Sequence, residues 1–522
     1  MNYYRRLVSR FAVISLGLCL SIALVCCESR HRNKTYAAIP EDNIDRGEAL
    51  ARIHCQSCHL LPDPTQLDVT SWAEGILPQM GPRLGIFRHL YKDYPHQKND
   101  PNLPSDFYPS APRLSDQEWQ YIMDYYLASS PDTLSAQNRD KPFQYKPGIF
   151  EILKPRESYD SASIVFTKVD TTGSQPALWL TDVLKQKMYL VNPELQITDS
   201  VATSRVVVDI DFQQNKKTVL DIGFMNPSNA RVGAFLQFSG NSIKLDSTAS
   251  AFVSDSLARP VAFAAADLNG DGAQDYVLCE FGHMTGMLSW IDGKTNVKHI
   301  LASRPGAIKA WPHDANGDGL LDIYVLFAQG HESIMLYTNK GGNHFDEKEL
   351  IAFPAVNGSS YFELCDFNKD GRIDILYTCG DNADYSPVLK PYHGVYIFMN
   401  TGQNIYRQQF FYPINGCFKA MARDFNNDGY MDVAAISFFA DYARQPEEGF
   451  VYFEGNGPFE FEALTFPETT KGRWLTMDVA DFNLDGKPDI ILGNFSIRPS
   501  ATKSLVDWTH GPAFLVLKNI MP

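Results

Sequence analysis

Two sets of residues in this chain have the types and spacing to do chemistry. The first is Cys55-Gln56-Ser57-Cys58-His59. Cys-x-x-Cys-His is the attachment sequence for c-type haem. Two thiols one helical turn apart add to the two vinyl groups, and His59 reaches the iron, giving a redox or ligand-binding centre that the protein tunes. A structural zinc half-site would need a second Cys-x-x-Cys pair, and a thioredoxin-like dithiol would need a surrounding βαβ pattern. The sequence offers neither.

The second set is a nine-residue pattern, Asp-x-Asn-x-Asp-Gly-x-x-Asp, that occurs five times. Its side-chain oxygens at positions one, three, five and nine come from Asp267, Asn269, Asp271 and Asp275, then from Asp314, Asn316, Asp318 and Asp322. The later copies supply Asp366, Asn368, Asp370 and Asp374, then Asp424, Asn426, Asp428 and Asp432, and last Asp481, Asn483, Asp485 and Asp489. Position seven (Ala273, Leu320, Arg372, Tyr430 or Lys487) offers a backbone carbonyl. An all-oxygen set closing on a Gly turn suits a hard cation, and Ca²⁺ is expected in about five sites. These are not EF-hands, because position twelve holds Leu278, Val325, Tyr377, Ala435 and Leu492 where a bidentate Glu would stand. Acidic Asx turns without metal are the alternative. Against it, three carboxylates converging on one turn repel unless a cation intervenes.

Different elements must position the two sets. Gly47 to Cys55 reads as a helix running into the haem motif, and Ser115-Asp116-Gln117-Glu118 is a capping box opening a second, aromatic-rich helix. Residues 42–130 thereby resemble a class I cytochrome c, a small all-α domain whose first and last helices cross beside one covalent haem. The resemblance implies a second axial ligand, commonly a Met sulfur, and Met80 lies between the motif and the last helix. Met123, His89 and His96 are the other candidates.

Each acidic loop leads into an apolar strand (Tyr276–Cys279 after the first, Ile490–Leu492 after the last), and a second strand ends the unit. The loops recur at 47, 52, 58 and 57 residues, a period and strand content that predict propeller blades rather than a helical solenoid. The repeats resemble the FG-GAP/VCBS family, which includes the integrin α-subunit propeller. Two earlier strand pairs, Leu178–Leu180 with Met188–Val191 and Val219–Ile222 with Ala234–Phe238, read as blades without the acidic signature. An all-β propeller over 160–522, at roughly 52 residues per blade, has seven blades, with six or eight as neighbouring counts. Residues 131–159, carrying Pro131, Pro142, Pro147 and Pro155, are either a free linker or an outer blade strand.

The N-terminus places these parts. Arg5, Arg6 and Arg10 precede an apolar run from Phe11 to Val25, too short for a comfortable membrane span and suited to an export signal over 1–27. Its end resembles a bacterial lipoprotein site with Cys27 as the lipidated residue, followed by a tether over 28–41; Cys26 and a plain signal peptide are alternatives. Either route leads to the cell envelope. The net charge of −15, with no basic patch, argues against nucleic-acid binding. Cys279, Cys365, Cys379 and Cys417 could pair in an oxidising compartment or stay free.

The expected function is an envelope-anchored electron-transfer protein, its haem serving a redox partner protein and its calcium-stabilised propeller docking a partner, a glycan or a protein ligand. Two other classes remain: an oxidoreductase whose propeller holds substrate or a further cofactor, and a calcium-dependent adhesion or glycan-binding protein. No residue is assigned a catalytic role. The loops following the apolar strands form the candidate binding face, with His283, His331, Asp381, Asp384, Tyr385, His393, Asp441, Arg444, Arg498 and His510.

Overall fold

The strand after each acidic loop is buried along its whole length: Asp275–Glu280, Asp322–Phe327, Asp374–Cys379, Asp432–Ser437 and Asp489–Asn494. Strands covered on both faces belong to sheets stacked face to face, and the sheets stack here as blades around an axis. The protein is a computed structural model that describes residues 30–521 apart from 147, 157–159, 215, 241–242, 244–249, 384 and 498–507. Cys27, Asp384 and Arg498 lie outside the described residues.

Seven four-stranded antiparallel sheets form a seven-bladed propeller. Blades one to six are consecutive, at 164–202, 207–257, 260–302, 307–352, 359–413 and 417–464. Blade seven takes three strands from 474–519, and its outermost strand is Phe150–Leu153, paired with Phe514–Asn519 in the register Phe150↔Asn519 and Leu153↔Val516. The propeller therefore begins ten residues before the boundary expected at 160. The segment left open as linker or blade strand supplies the strand that closes the ring.

The rest of that connection is also held down. Gln137 Nε2 donates to the carbonyls of Lys390 and His393, Arg139 pairs with Glu448, Gln144 bridges to Leu464 on the edge of blade six, and Lys146 pairs with Glu454. Around the axis, acids on inner strands reach the next blade. Asp478 accepts from the Val169 amide, Glu363 from Ala422 and Asp209 from Phe263. Lys168 and Arg423 sit beside Asp209 and Glu363.

Before the connection, residues 30–130 form a small, mainly helical unit with a two-residue ribbon, Arg88–His89 with Lys92–Asp93. Helix α1 is Glu41–His54 and helix α2 is Asp116–Ser129, the latter opened by the expected capping box on Ser115 and Glu118. The two cross at Gly47, where a methyl group would collide with the Tyr121 carbonyl oxygen. Ile44, Ala51, Trp72, Trp119, Ile122 and Tyr126 fill the core between them.

Candidate functional site

Strand direction alternates within each blade. The loops between first and second strands therefore emerge on one face of the disc, and the second-to-third loops and blade-to-blade connections emerge on the other. The five acidic loops all lie on the first face, each between an inner strand and its neighbour.

Their local geometry repeats. The position-one carboxylate accepts from the amides of positions five and six, as Asp481 does from Asp485 (3.0 Å) and Gly486 (2.9 Å). The position-three Asn oxygen accepts from the position-five amide, and the position-five carboxylate from position seven. Position six takes a left-handed φ in all five loops, as its Gly requires. Position four does so too, even where it is Lys369, Asn427 or Leu484, a demand that the Gly pattern alone does not reveal. Position two plugs the loop into the core through Leu268, Phe367, Phe425 and Phe482.

Position nine is the anchor. Asp275, Asp322, Asp374, Asp432 and Asp489 are all buried, each accepting from the position-two amide with one oxygen and from an amide at the far end of the blade's third strand with the other. Burial raises all five carboxyl pKa values, Asp374, Asp432 and Asp489 to about 6; the backbone donors oppose the rise, and the acid at position five adds to it in every loop. The donor set is acidic and all oxygen. Among the described residues, however, no three His, Cys, Asp or Glu side chains converge into a ready metal cage.

The Cys-x-x-Cys-His motif lies at the C-terminal end of α1, where the Cys55 amide still donates to Ala51. Cys55 is half-buried and its thiol is pushed up to about 11, first by burial; Cys58 is exposed. The His59 Nδ1 lies 2.8 Å from the Leu60 carbonyl. A proton on Nδ1 donates there and leaves Nε2 free as a ligand atom. Burial, the leading cause, lowers the His59 pKa and favours the neutral ring. Met80 and Met123 both border the same apolar cluster as Cys55. His89 is committed elsewhere, its Nε2 facing the Gln120 side-chain oxygen at 2.8 Å, and His96 packs on Phe87 and Tyr108.

The helical unit sits on the second face, opposite the acidic loops. Val356, from the connection between blades four and five, is part of its core. Tyr392 of blade five donates to the Gln66 carbonyl, and Gly75 abuts the Tyr385 carbonyl so closely that a Cβ would collide with it. Asn229 of blade two donates to Gln97 and Asp100, and His283 of blade three bonds Gln97. Loops that the sequence nominates for an outside partner thus hold the chain's own N-terminal unit. Of the others, His331 faces Glu349 at 2.5 Å, His393 is buried, and His510 pairs with Asp160. Gln97, Asn229, Val356 and Tyr392 carry no motif, so no residue pattern marks them. Cys279, Cys365, Cys379 and Cys417 are buried free thiols; burial raises the pKa of all four, the first three to about 12.

A family model described as an FG-GAP-like repeat matches residues 314–377 and 424–492. The propeller carries FG-GAP-like repeats. Over 165 residues the chain is 30% identical to integrin alpha pat-2 of Caenorhabditis briggsae, and over 161 residues 31% identical to integrin alpha pat-2 of Caenorhabditis elegans. Each match covers 27% of this chain, which spans 13% of either relative's length. Among solved structures, the N-terminal domain of Nup159 overlays with TM-score 0.42 at 10% identity, covering 73% of this chain and 98% of that one. Saccharomyces cerevisiae Sqt1 overlays with TM-score 0.40 at 9% identity, covering 70% and 98%.

Proposed function

We propose that this protein is an envelope-anchored c-type haem protein that transfers electrons, with its FG-GAP propeller as a calcium-stabilised platform. The observation carrying this reading is the Cys55-x-x-Cys58-His59 motif at the end of a helix that crosses a second helix at Gly47. A haem bound there supplies a one-electron redox centre. The Cys55 and Cys58 thiols would anchor it, His59 would present Nε2 while Nδ1 is held by the Leu60 carbonyl, and Met80, bordering the same apolar cluster, would be the second protein ligand. The apolar residues around Cys55, Met80 and Met123 would exclude water.

The acidic loops are the candidate calcium sites. Five buried position-nine carboxylates with raised pKa values, each beside further acids, form charge clusters that a divalent cation would relieve. Cys27 would tether the mature chain to the membrane. No helix among the described residues is long and apolar enough to cross one.

The deciding measurement is the visible spectrum of the full chain matured in an exporting, haem-attaching host, oxidised and then reduced. The expected result is a c-type reduced spectrum that survives denaturation and disappears in Cys55→Ala/Cys58→Ala, with a far-red Met–iron band lost in Met80→Ala. Chromophore-free protein would overturn the electron-transfer reading. A c-type spectrum without the far-red band would overturn Met80 alone.

A further inference from the structure

Two large apolar side chains stand clear of the helical unit, at the tip of its two-residue ribbon. Tyr91 is 88% exposed, more than any other large hydrophobic side chain among the described residues, and its neighbour Leu90 is 68% exposed. Leu90 also holds a left-handed φ of 53°. Hairpin turns this short place Gly, Asn or Asp at such positions, because a bulkier L side chain is strained there. The leucine side chain is therefore carried against the preference of its own backbone, and strain of that kind at an exposed site points to a use for the side chain.

The tip cannot relax by folding back. His89, at its root, is buried with Nε2 at 2.8 Å from the Gln120 side-chain oxygen, and Tyr94, just past the ribbon, packs in the core of the unit. Leu90 and Tyr91 are thus held out in water, where apolar surface is unfavourable.

What covers them follows from where the chain's N-terminal end enters. The Arg30 guanidinium is pinned to the first two turns of α1 by Glu41, Asp45 and Glu48. Cys27 precedes it by three residues, which span at most about 10 Å. The ribbon is tied to the same end of α1 by a row of side-chain hydrogen bonds: His89 with Gln120, Gln120 with Asp124, and Asn43 with Asp124, each at 2.8 Å. A lipid on Cys27 would therefore bring the bilayer surface within reach of the tip.

Charge is compatible with that surface. Arg30 offsets the acids of α1 nearest the entry point, and Arg46 pairs with Asp42. On the ribbon Arg88 pairs with Asp93, while Lys92 has no acidic partner among the described residues and is left to face anionic headgroups. A tyrosine ring with a neighbouring lysine suits the bilayer boundary, where the ring lies at headgroup level and the ammonium reaches phosphate. We propose that the Leu90-Tyr91 tip inserts into the boundary of the membrane that carries the Cys27 anchor. Lipid and tip are then two points of attachment that fix how the helical unit is turned on the bilayer. The proposal rests on the anchoring reading above and does not depend on haem.

The test uses the full chain, lipidated in an exporting host and reconstituted in vesicles of phosphatidylglycerol and a phosphatidylcholine brominated along its acyl chains. Bromine quenches an indole that enters the boundary layer, about 5–10 Å deep. Tyr91→Trp places an indole at the tip, and Tyr145→Trp places one at a 61% exposed position on the connection as a control. The emission that Tyr91→Trp adds should lose at least about half its intensity in brominated against unbrominated vesicles, and that of Tyr145→Trp should not change. Leu90→Gly in the Tyr91→Trp background relieves the left-handed backbone, so it should reduce the quenching without lowering the unfolding midpoint. An unquenched tip in vesicle-bound protein would overturn the insertion and leave the anchor standing. Equal quenching at both positions would also overturn it, and quenching indifferent to Leu90→Gly would overturn the part given to Leu90. Protein that does not float with the vesicles would overturn the anchor and the insertion together.

Discussion

Arg139 and Glu448 form an ion pair whose side chains are 11% and 0% exposed. Glu448 also accepts from the Asn415 side chain at 3.1 and 3.2 Å and from the Asp441 amide at 3.0 Å, while the Arg139 Nε donates to the Pro413 carbonyl at 2.9 Å. Arg139→Met keeps much of the side-chain volume over the Phe143 ring but leaves Glu448 buried with neutral donors only. Breaking a buried pair from one side costs about 3–5 kcal/mol. The double variant Arg139→Met/Glu448→Gln removes both charges and should recover most of that loss. Urea unfolding followed by tryptophan fluorescence measures the cycle, with an expected coupling of at least about 2 kcal/mol. Hydrogen exchange across 131–146 adds a local readout, since Arg139→Met should free the connection from blade six. A single variant costing under about 1 kcal/mol, or a coupling near zero, would refute the view that this pair locks the connection to the disc.

Two further substitutions probe the fold. Gly47→Ala places a methyl group against the Tyr121 carbonyl and 2.8 Å from the Tyr125 Cβ, so α1 and α2 must separate. The expected cost is about 1–3 kcal/mol, read from the first unfolding transition; a change below about 0.5 kcal/mol would contradict the close crossing. Burial pushes Glu332 up from 4.5 to about 7, against hydrogen bonds from the Ser359 and Gly358 amides. The folded carboxyl thus keeps its proton where the unfolded one has lost it, so this group's contribution falls by about 3 kcal/mol as pH rises from 4.5 to 7. Glu332→Gln should flatten that slope in denaturant titrations run between pH 5 and 8. An unchanged slope would show that Glu332 ionises normally.

The sequence carried the propeller because its signal is local and repeated. A loop with acids at fixed positions, followed by a strand buried on both faces, recurs five times, and Leu178–Leu180 and Val219–Ile222 kept the strand pattern in two blades that lost the acids. The crossing helices were legible for the same reason, since Ser115 and Glu118 form their box within four residues. What escaped depends on partners distant in sequence. Phe150–Leu153 is only four residues, and nothing in them names Phe514–Asn519 as neighbour. The seat of the helical unit is made of single residues, Gly75 against Tyr385 and Gln97 between Asn229 and His283, whose types are ordinary and whose spacing carries no period. The candidate site was read as two motifs; that they occupy opposite faces follows from strand direction, which no motif encodes.

That separation sets the final expectation. Asp374 begins a six-residue strand that ends at Cys379, just before the loop carrying Tyr385 and Tyr392 to the helical unit. Six residues at about 3.3 Å each put some 20 Å between an acidic loop and the nearest part of that unit, beyond the roughly 8 Å over which physiological salt screens exposed charge. A cation in the loop would therefore act on the helical unit through blade rigidity rather than through its field. At a free calcium concentration a hundredfold above the dissociation constant, each filled site would stabilise the propeller by about 2.7 kcal/mol. Chelation should then lower the propeller's melting temperature markedly and leave the reduction potential of the haem-loaded protein unchanged at temperatures where the propeller stays folded. Calorimetry and redox titration on the same chelated sample make the comparison. A melting temperature indifferent to chelation would leave the acidic loops as plain turns. A potential that moved while the propeller remained folded would mean that the two faces are coupled electrostatically, against the distance that the strands impose.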